Sequence, residues 1–288
     1  MNNWQRVFGR RNRPAWVVLL VCLSLTLAAW YGLRIQAVKN AGQQFGLHVN
    51  DVIDSIEERM RQHEQILLGG AGLFDASGAV DRAGWRAYVE RLNLKENYPG
   101  IQGVGFSRII QPAGLQAHIS AIRAEGFPGY TVRPPGERSL YTSIIYLEPF
   151  TGRNLAAFGF DMMSEATRAK AMRMAAESGK TAISAKVKLV QETHGKEQAG
   201  FLMYVPVYRK NQPLTTTEER WKALQGFVYS PYRADDLMTG ILGKRILKLD
   251  FVIFDGEEEA DGARMFVSAD EQMRSLPPEM SALHTIRA

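Results

Sequence analysis

Nineteen consecutive residues, Ala15 to Leu33 (AWVVLLVCLSLTLAAWYGL), carry no charged side chain. A run of that length approaches the roughly 20 residues that a helix needs to cross a bilayer core. Trp16 at one end and Trp30-Tyr31 at the other stand where an aromatic belt belongs. Arg6, Arg10, Arg11 and Arg13 precede the run with no acid among them. They predict a cytoplasmic N-terminus, with everything after Arg34 outside the cytoplasm. A cleaved signal peptide has a shorter apolar stretch, roughly 7–15 residues, and a small-x-small site after it. Neither feature is present, so the segment reads as an uncleaved anchor in the inner membrane.

The region beyond the anchor must fold without covalent staples. The single cysteine, Cys22, lies inside the apolar run, which excludes a disulfide framework and a cysteine nucleophile from the exported part. Hydrophobic residues at 45% and aromatics at 10% suffice for a large core. The net charge of +5 owes much to the N-terminal arginines, which lack interleaved stacking aromatics. They read as a topology signal, and no nucleic-acid partner is expected.

From Ile35 to about Leu68 the apolar positions Phe45, Val49, Val52, Ile56, Met60, His63 and Leu67 recur at steps of three and four. This is one stripe of a long helix, uninterrupted by proline. It suits a helix packed on its own domain and also a parallel dimer stalk, and a homodimer seam on part of it is expected. Gly69-Gly70-Ala71-Gly72 is expected to end it. A second helix begins at Asp81 as N-cap. A strand is expected over Ile101 to Ile110, then a helix from Pro112 to near Gly126. Strands are expected around Tyr130-Val132, Leu140-Leu147 and Leu155-Phe160. Ser164 is expected to cap a further helix that ends near Lys180. Strands return at Ala182-Val190 and Phe201-Tyr208, and after a polar loop at Leu224-Tyr229. A short helix, Arg233 to Leu242, precedes strands at Ile246-Phe254 and Arg264-Val267. Short turns between strands, with helices inserted among them, imply an α+β fold with antiparallel sheets.

Catalytic motifs are weak throughout. Ser178-Gly179-Lys180-Thr181 ends like a phosphate loop, but Met174 occupies the position of its first glycine, and the segment closes a helix instead of opening one. The histidines at 48, 63, 118, 194 and 284 are scattered, so no metal site is expected. No cofactor is implied. An acid–base pair of Asp161 with Glu148 or Lys186 would be needed for an enzyme, and nothing in the sequence brings them together. No catalytic role is expected for this chain. A structural dimerisation module without ligand is the remaining alternative.

Asp161 is the residue that stands out, because it sits where an apolar stretch (Ala156 to Phe160) meets a helix. A carboxylate there is partly desolvated and seeks a donor: a helix end, or an arginine such as Arg153 or Arg168. Three segments around it carry a resemblance. Gly159-Phe160-Asp161-Met162-Met163-Ser164, the helix end Ser178-Gly179-Lys180, and Met203-Tyr204-Val205-Pro206-Val207-Tyr208 together resemble the CHASE domain. That family comprises extracytoplasmic sensor domains of receptor histidine kinases and nucleotide cyclases, plant cytokinin receptors among them.

The resemblance covers roughly residues 85 to 255 and implies a long helix carrying two stacked PAS-like lobes, the distal one larger and ligand-binding. The organisation expected is a cytoplasmic N-terminus (1–14), a transmembrane helix (15–34), a stalk helix (35–70), a distal lobe (81–220) and an incomplete proximal lobe (221–288). In the cytokinin-binding relatives the aspartate matching Asp161 contacts an adenine-like ring. The correspondence makes Ile183 a pocket-wall residue where those relatives carry leucine. Tyr204 stands where they carry threonine, so a reshaped pocket and a ligand other than a cytokinin are expected. Phe158 and Met163 complete the expected ligand-contacting set. The function implied is the input region of a membrane-bound receptor that binds a small molecule. The chain is expected to be a fragment of a histidine kinase or diguanylate cyclase.

Overall fold

The computed structural model describes residues 13–191, 198–243, 249–256, 260–268 and 281–286. Three of the N-terminal arginines, His194, the start of the expected strand at Ile246 and the acidic turn at 257–259 lie outside the described residues. With no proline after Pro14 to interrupt it, the chain runs as one helix, α1 (Arg13–Ala76), of 64 residues. The structure divides into two units within this helix, between Asp51 and Val52. In the first unit the apolar side chains from Val17 to Leu33 are exposed, as an anchor's lipid-facing surface requires. α1 is long and apolar enough to cross a membrane.

In the second unit the stripe along α1 faces the domain: Ile56, His63 and Leu67 are buried, and Val52 and Met60 partly so. Gly69 and Gly70 do not end the helix. A methyl at Gly69 would come within 2.7 Å of the Tyr88 hydroxyl, and one at Gly70 within 3.1 Å of Val228 and 3.3 Å of Trp85. These glycines let the helix approach the domain closely, and α1 continues to Ala76. Asp81 then caps α2 (Arg82–Leu92) by accepting from Gly84 N at 2.7 Å. A single turn, α3 (Leu94–Asn97), comes after it.

The core is a five-stranded antiparallel sheet of β1 (Val104–Ile110), β2 (Tyr141–Glu148), β3 (Ala182–Ile183), β4 (Gly200–Tyr208) and β5 (Leu224–Arg233), in spatial order β2-β1-β5-β4-β3. Three further helices insert between the strands: α4 (Leu115–Ala124), α5 (Ala166–Ser178) and α6 (Thr217–Ala223). The sequence expectation ends the first lobe at residue 220. The sheet instead continues to Arg233, because β5 is its central strand and pairs with both β1 and β4. The polar loop at 211–217 is a connection inside the sheet. After α7 (Ala234–Leu242), β6 (Val252–Phe254) and β7 (Arg264–Val267) form a separate two-stranded ribbon. Lys186 ties it to the sheet domain, its Nζ donating to Gly262 O at 3.0 Å and Arg264 O at 2.8 Å.

Two other expectations change. Leu155-Phe160 is not a strand: Gly152–Ala157 is a 3-10 helix with Leu155 exposed, and Gly159 turns the chain with φ 82. A side chain at Gly159 would strike the Thr131 carbonyl, so only glycine fits. Around Tyr130-Val132 only one bridge forms, Arg133 to Phe160, and of Ala182-Val190 only Ala182–Ile183 and a bridge at Val187 pair.

Alternation along the strands sorts the core into two faces. Phe106, Ile145, Met203, Val205 and Val228 point to α1 and α2, around Trp85 and Phe74. Ile144, Leu147, Leu202, Tyr204, Phe227 and Tyr229 point to α5, which meets them with Ala171, Met172, Ala175 and Ala176. Small residues on α5 bring the helix axis close to the sheet.

Candidate functional site

Asp161 lies under α5's entry, fully buried, beside the edge strand β2. A buried carboxylate is expensive unless hydrogen bonds and charge compensate it. Oδ1 accepts from Thr142 N and from Thr142 Oγ1, both at 2.8 Å. Thr142 Oγ1 in turn accepts from Met163 N at 2.8 Å. Oδ2 has no hydrogen-bond partner, and the Nε of Arg138 stands 3.4 Å from it. The arginine comes from neither expected position. Arg168 instead serves Glu165, at 3.2 Å, and the Lys188 carbonyl, at 2.7 Å.

Ser164 does not cap α5; its Oγ donates to Asp161 O at 2.5 Å. The cap is Glu165, whose carboxylate accepts from Thr167 N at 2.9 Å and Arg168 N at 3.0 Å. Burial pushes the Glu165 carboxyl up, but those backbone hydrogen bonds and the Arg168 charge outweigh it and leave the group below its ordinary value. Gly179 closes α5 in the left-handed conformation, its N–H bonded to Ala175 O. The Gly-Lys-Thr segment is therefore a helix C-terminus, with no N–H groups to cradle a phosphate.

The same sheet face carries further polar atoms without partners. The hydroxyls of Tyr204 and Tyr229 and the Oγ of Ser107 are buried and unbonded. Tyr204 and Tyr229 face each other across β4 and β5, with ring centroids 6.3 Å apart. Ser107 pairs with Phe227, two residues from Tyr229, on β1. Gly105 leaves the room that the Tyr229 ring needs, since a methyl there would come within 2.6 Å of it. Burial raises both phenols well above their ordinary pKa, while the nearby Arg168 charge pulls them down. Each unbonded hydroxyl costs about 1–3 kcal/mol to keep dry.

Of the five residues expected from the sequence, the structure brings three to this face: Asp161, Tyr204 and Met163. Ile183 pairs with Met203 and packs on the opposite face. Phe158 also lies there, among Phe127, Tyr130 and Phe150. Thr142, Arg138, Ser107 and Tyr229 were missed. Tyr229 was legible as an inward tyrosine in an alternating strand; Arg138 and Thr142 are 23 and 19 positions from Asp161 and carried no signal.

The groups proposed for acid–base work do not meet. Glu148 pairs with Arg86 at 3.2 Å and accepts from Phe150 N, and Lys186 is engaged by the β6–β7 ribbon.

An antiparallel sheet domain behind a helix of membrane-crossing length, with a closed polar site on one sheet face, fits an extracytoplasmic sensor domain. The family makes this specific: the model of the CHASE domain matches residues 78–266, and the chain belongs to that family. It is thus a sensory, ligand-sensing input domain of the extracellular kind. No curated protein matches the chain in sequence. Among solved structures, it is similar to an extracellular ligand binding receptor from Desulfohalobium retbaense, with TM-score 0.47 and 11% identity over 73% of this chain. The chain spans 29% of that receptor's length. It is also similar to the ligand binding domain of the Pseudomonas aeruginosa amino acid chemoreceptor PctC in complex with GABA, with TM-score 0.46 and 12% identity, covering 85% of this chain and 87% of that one.

Proposed function

We propose that this chain is the input region of an inner-membrane receptor of the histidine kinase or diguanylate cyclase type, and that a small molecule binds between α5 and the sheet. The observation that carries this reading is that one face holds four buried polar atoms without hydrogen-bond partners: Asp161 Oδ2, Tyr204 OH, Tyr229 OH and Ser107 Oγ. A fold keeps such atoms unsatisfied at a cost, and a ligand that bonds to them recovers it. The carboxylate asks for an N–H or O–H donor, and the two phenol rings offer flat apolar surface. A small polar or aromatic molecule with at least one donor fits that chemistry.

Signal output requires the ligand to bind two conformations of the domain with different affinity. α1 is the element that carries the difference toward the membrane, and a homodimer seam on its stalk would couple two copies. The distal lobe of this receptor is the five-stranded sheet domain, and the smaller second lobe forms around β6 and β7.

The test is thermal unfolding of the full chain in nonionic detergent against a panel of amines, amino acids and nucleobases. A ligand at a hundred times its dissociation constant stabilises the fold by about 2.7 kcal/mol, raising the midpoint by roughly 4–8 °C. Asp161→Asn keeps an acceptor for Thr142 and removes the charge, so it should fold and lose the shift. A shift that survives Asp161→Asn contradicts the site; a flat panel with well-folded protein contradicts the small-molecule reading.

A further inference from the structure

A cleft of about 720 Å³ opens where α1 ends and the chain passes from β4 into α6. Four of its lining residues are cations: Arg108, Arg209, Lys210 and Lys222. None of its lining residues is an acid. Local structure sets them there. Arg209 N bonds to Ala223 O at 2.8 Å and its guanidinium donates to the Lys222 carbonyl, which holds the end of β4 against α6. Arg108 stands on β1 opposite Gly226, with its side chain exposed.

Among the described residues, no carboxylate forms an ion pair with Arg108, Lys210 or Lys222. Nearby acids are used elsewhere or lie outside the lining. Glu219 closes the capping box of α6, Asp81 caps α2, and Asp75 is exposed beyond the cleft wall. Trp221, half-buried, adds a flat apolar wall, and Gln111 and Gln225 add amide donors. Like charges gathered at one concave surface repel one another and focus a positive potential into it. The carbonyl end of α1 is an opposing dipole in the wall, and it weakens within a turn.

We propose that this cleft binds a small, multiply charged anion, such as a phosphate ester or polycarboxylate, at a site separate from the one around Asp161. It lies at the far end of α1 from Val52, about 36 Å along the helix from where the chain enters this unit. A soluble anion, not a surface, is the occupant that position favours. Arginine and lysine meet such groups with charge-assisted hydrogen bonds, and the tryptophan face accommodates the rest of the molecule.

Isothermal titration of the full chain in nonionic detergent at low salt, with sodium pyrophosphate and then sodium citrate as probes, tests this. At least one probe should bind at a single site, with a dissociation constant that rises as salt is added. The double variant Lys210→Gln/Lys222→Gln, at exposed positions, should weaken binding at least tenfold with an unchanged unfolding midpoint. Arg108→Gln should weaken it as well. Lys170→Gln, an exposed lysine on α5, should leave the constant within twofold, as should Asp161→Asn. No heat from either probe, an unaffected double variant, or equal weakening by Lys170→Gln overturns the proposal. None of these results bears on the ligand reading at Asp161.

Discussion

The two faces of one sheet treat buried tyrosines differently. Toward α1 and α2, the hydroxyls of Tyr88, Tyr130, Tyr141 and Tyr146 each find a partner: Ile66 O, Ser143 Oγ, Gly136 O and Val80 O, at 2.6 to 3.0 Å. Toward α5, the half-buried Tyr208 donates to Ala176 O at 2.8 Å, while the fully buried Tyr204 and Tyr229 find no partner. The first face behaves as structural core, dense with rings that stack around Trp85, Phe74 and Phe106. The second buries as thoroughly yet leaves these two hydroxyls without a partner. The α1 face has its own exception. His63 is fully buried, stacks on Tyr232 at 5.4 Å, and its ring nitrogens have no hydrogen-bond partner.

The contrast sharpens when each face is perturbed. Trp85→Ala removes the largest fully buried side chain on the α1 face. It should cost about 3–5 kcal/mol, read as a lowered denaturant midpoint with no ligand-specific effect. Acid should act on the same face through His63. Burial, and secondarily the Arg59 charge, lower its pKa to about 4 from 6.5. The unfolded chain therefore takes up a proton near pH 6.5 that the fold refuses until about pH 4. The His63 contribution to stability is complete above pH 6.5 and is lost as pH drops through that window, by about 3 kcal/mol. Unfolding free energies measured at pH 7 and pH 4.5 check this; His63→Phe should reduce the slope, and the part that remains belongs to His118, which burial also lowers to about 4. On the α5 face, Gly105→Ala drives a methyl to 2.6 Å from the Tyr229 ring and the Tyr146 carbonyl. It should cost about 1–3 kcal/mol and displace Tyr229, so any ligand response should fall further than stability alone explains.

Much of this architecture is legible in the residues. The period of the α1 stripe, the Asp81 cap, and the alternation in Phe201-Tyr208 and Leu224-Tyr229 are local signals, and local physics decides them. Gly69-Gly70 shows the limit: glycine at a helix end and glycine at a close contact look alike until Tyr88 and Trp85 are in place. Leu155-Phe160 is apolar enough for a strand, but Gly152 and Gly159 with positive φ turn it into a 3-10 segment. Asp161 could be singled out from its position, while its partners Thr142 and Arg138 depend on a long-range pairing with β2. Ile183 falls on the other side of the sheet for a related reason. A strand's face is set by register, and register is settled by partners far away in sequence.

The smallest expected effect separates the two faces most directly. Denaturant unfolding of the full chain would compare Tyr88→Phe/Tyr146→Phe with Tyr204→Phe/Tyr229→Phe, each then tested with the small-molecule panel. The first pair should lose about 2 kcal/mol, roughly one hydrogen bond per hydroxyl, and keep its ligand response. The second pair should lose no stability, because its hydroxyls have no bond to lose, and its ligand response should vanish. A second pair destabilised as much as the first, with its ligand response intact, would contradict the α5 face as the sensing site.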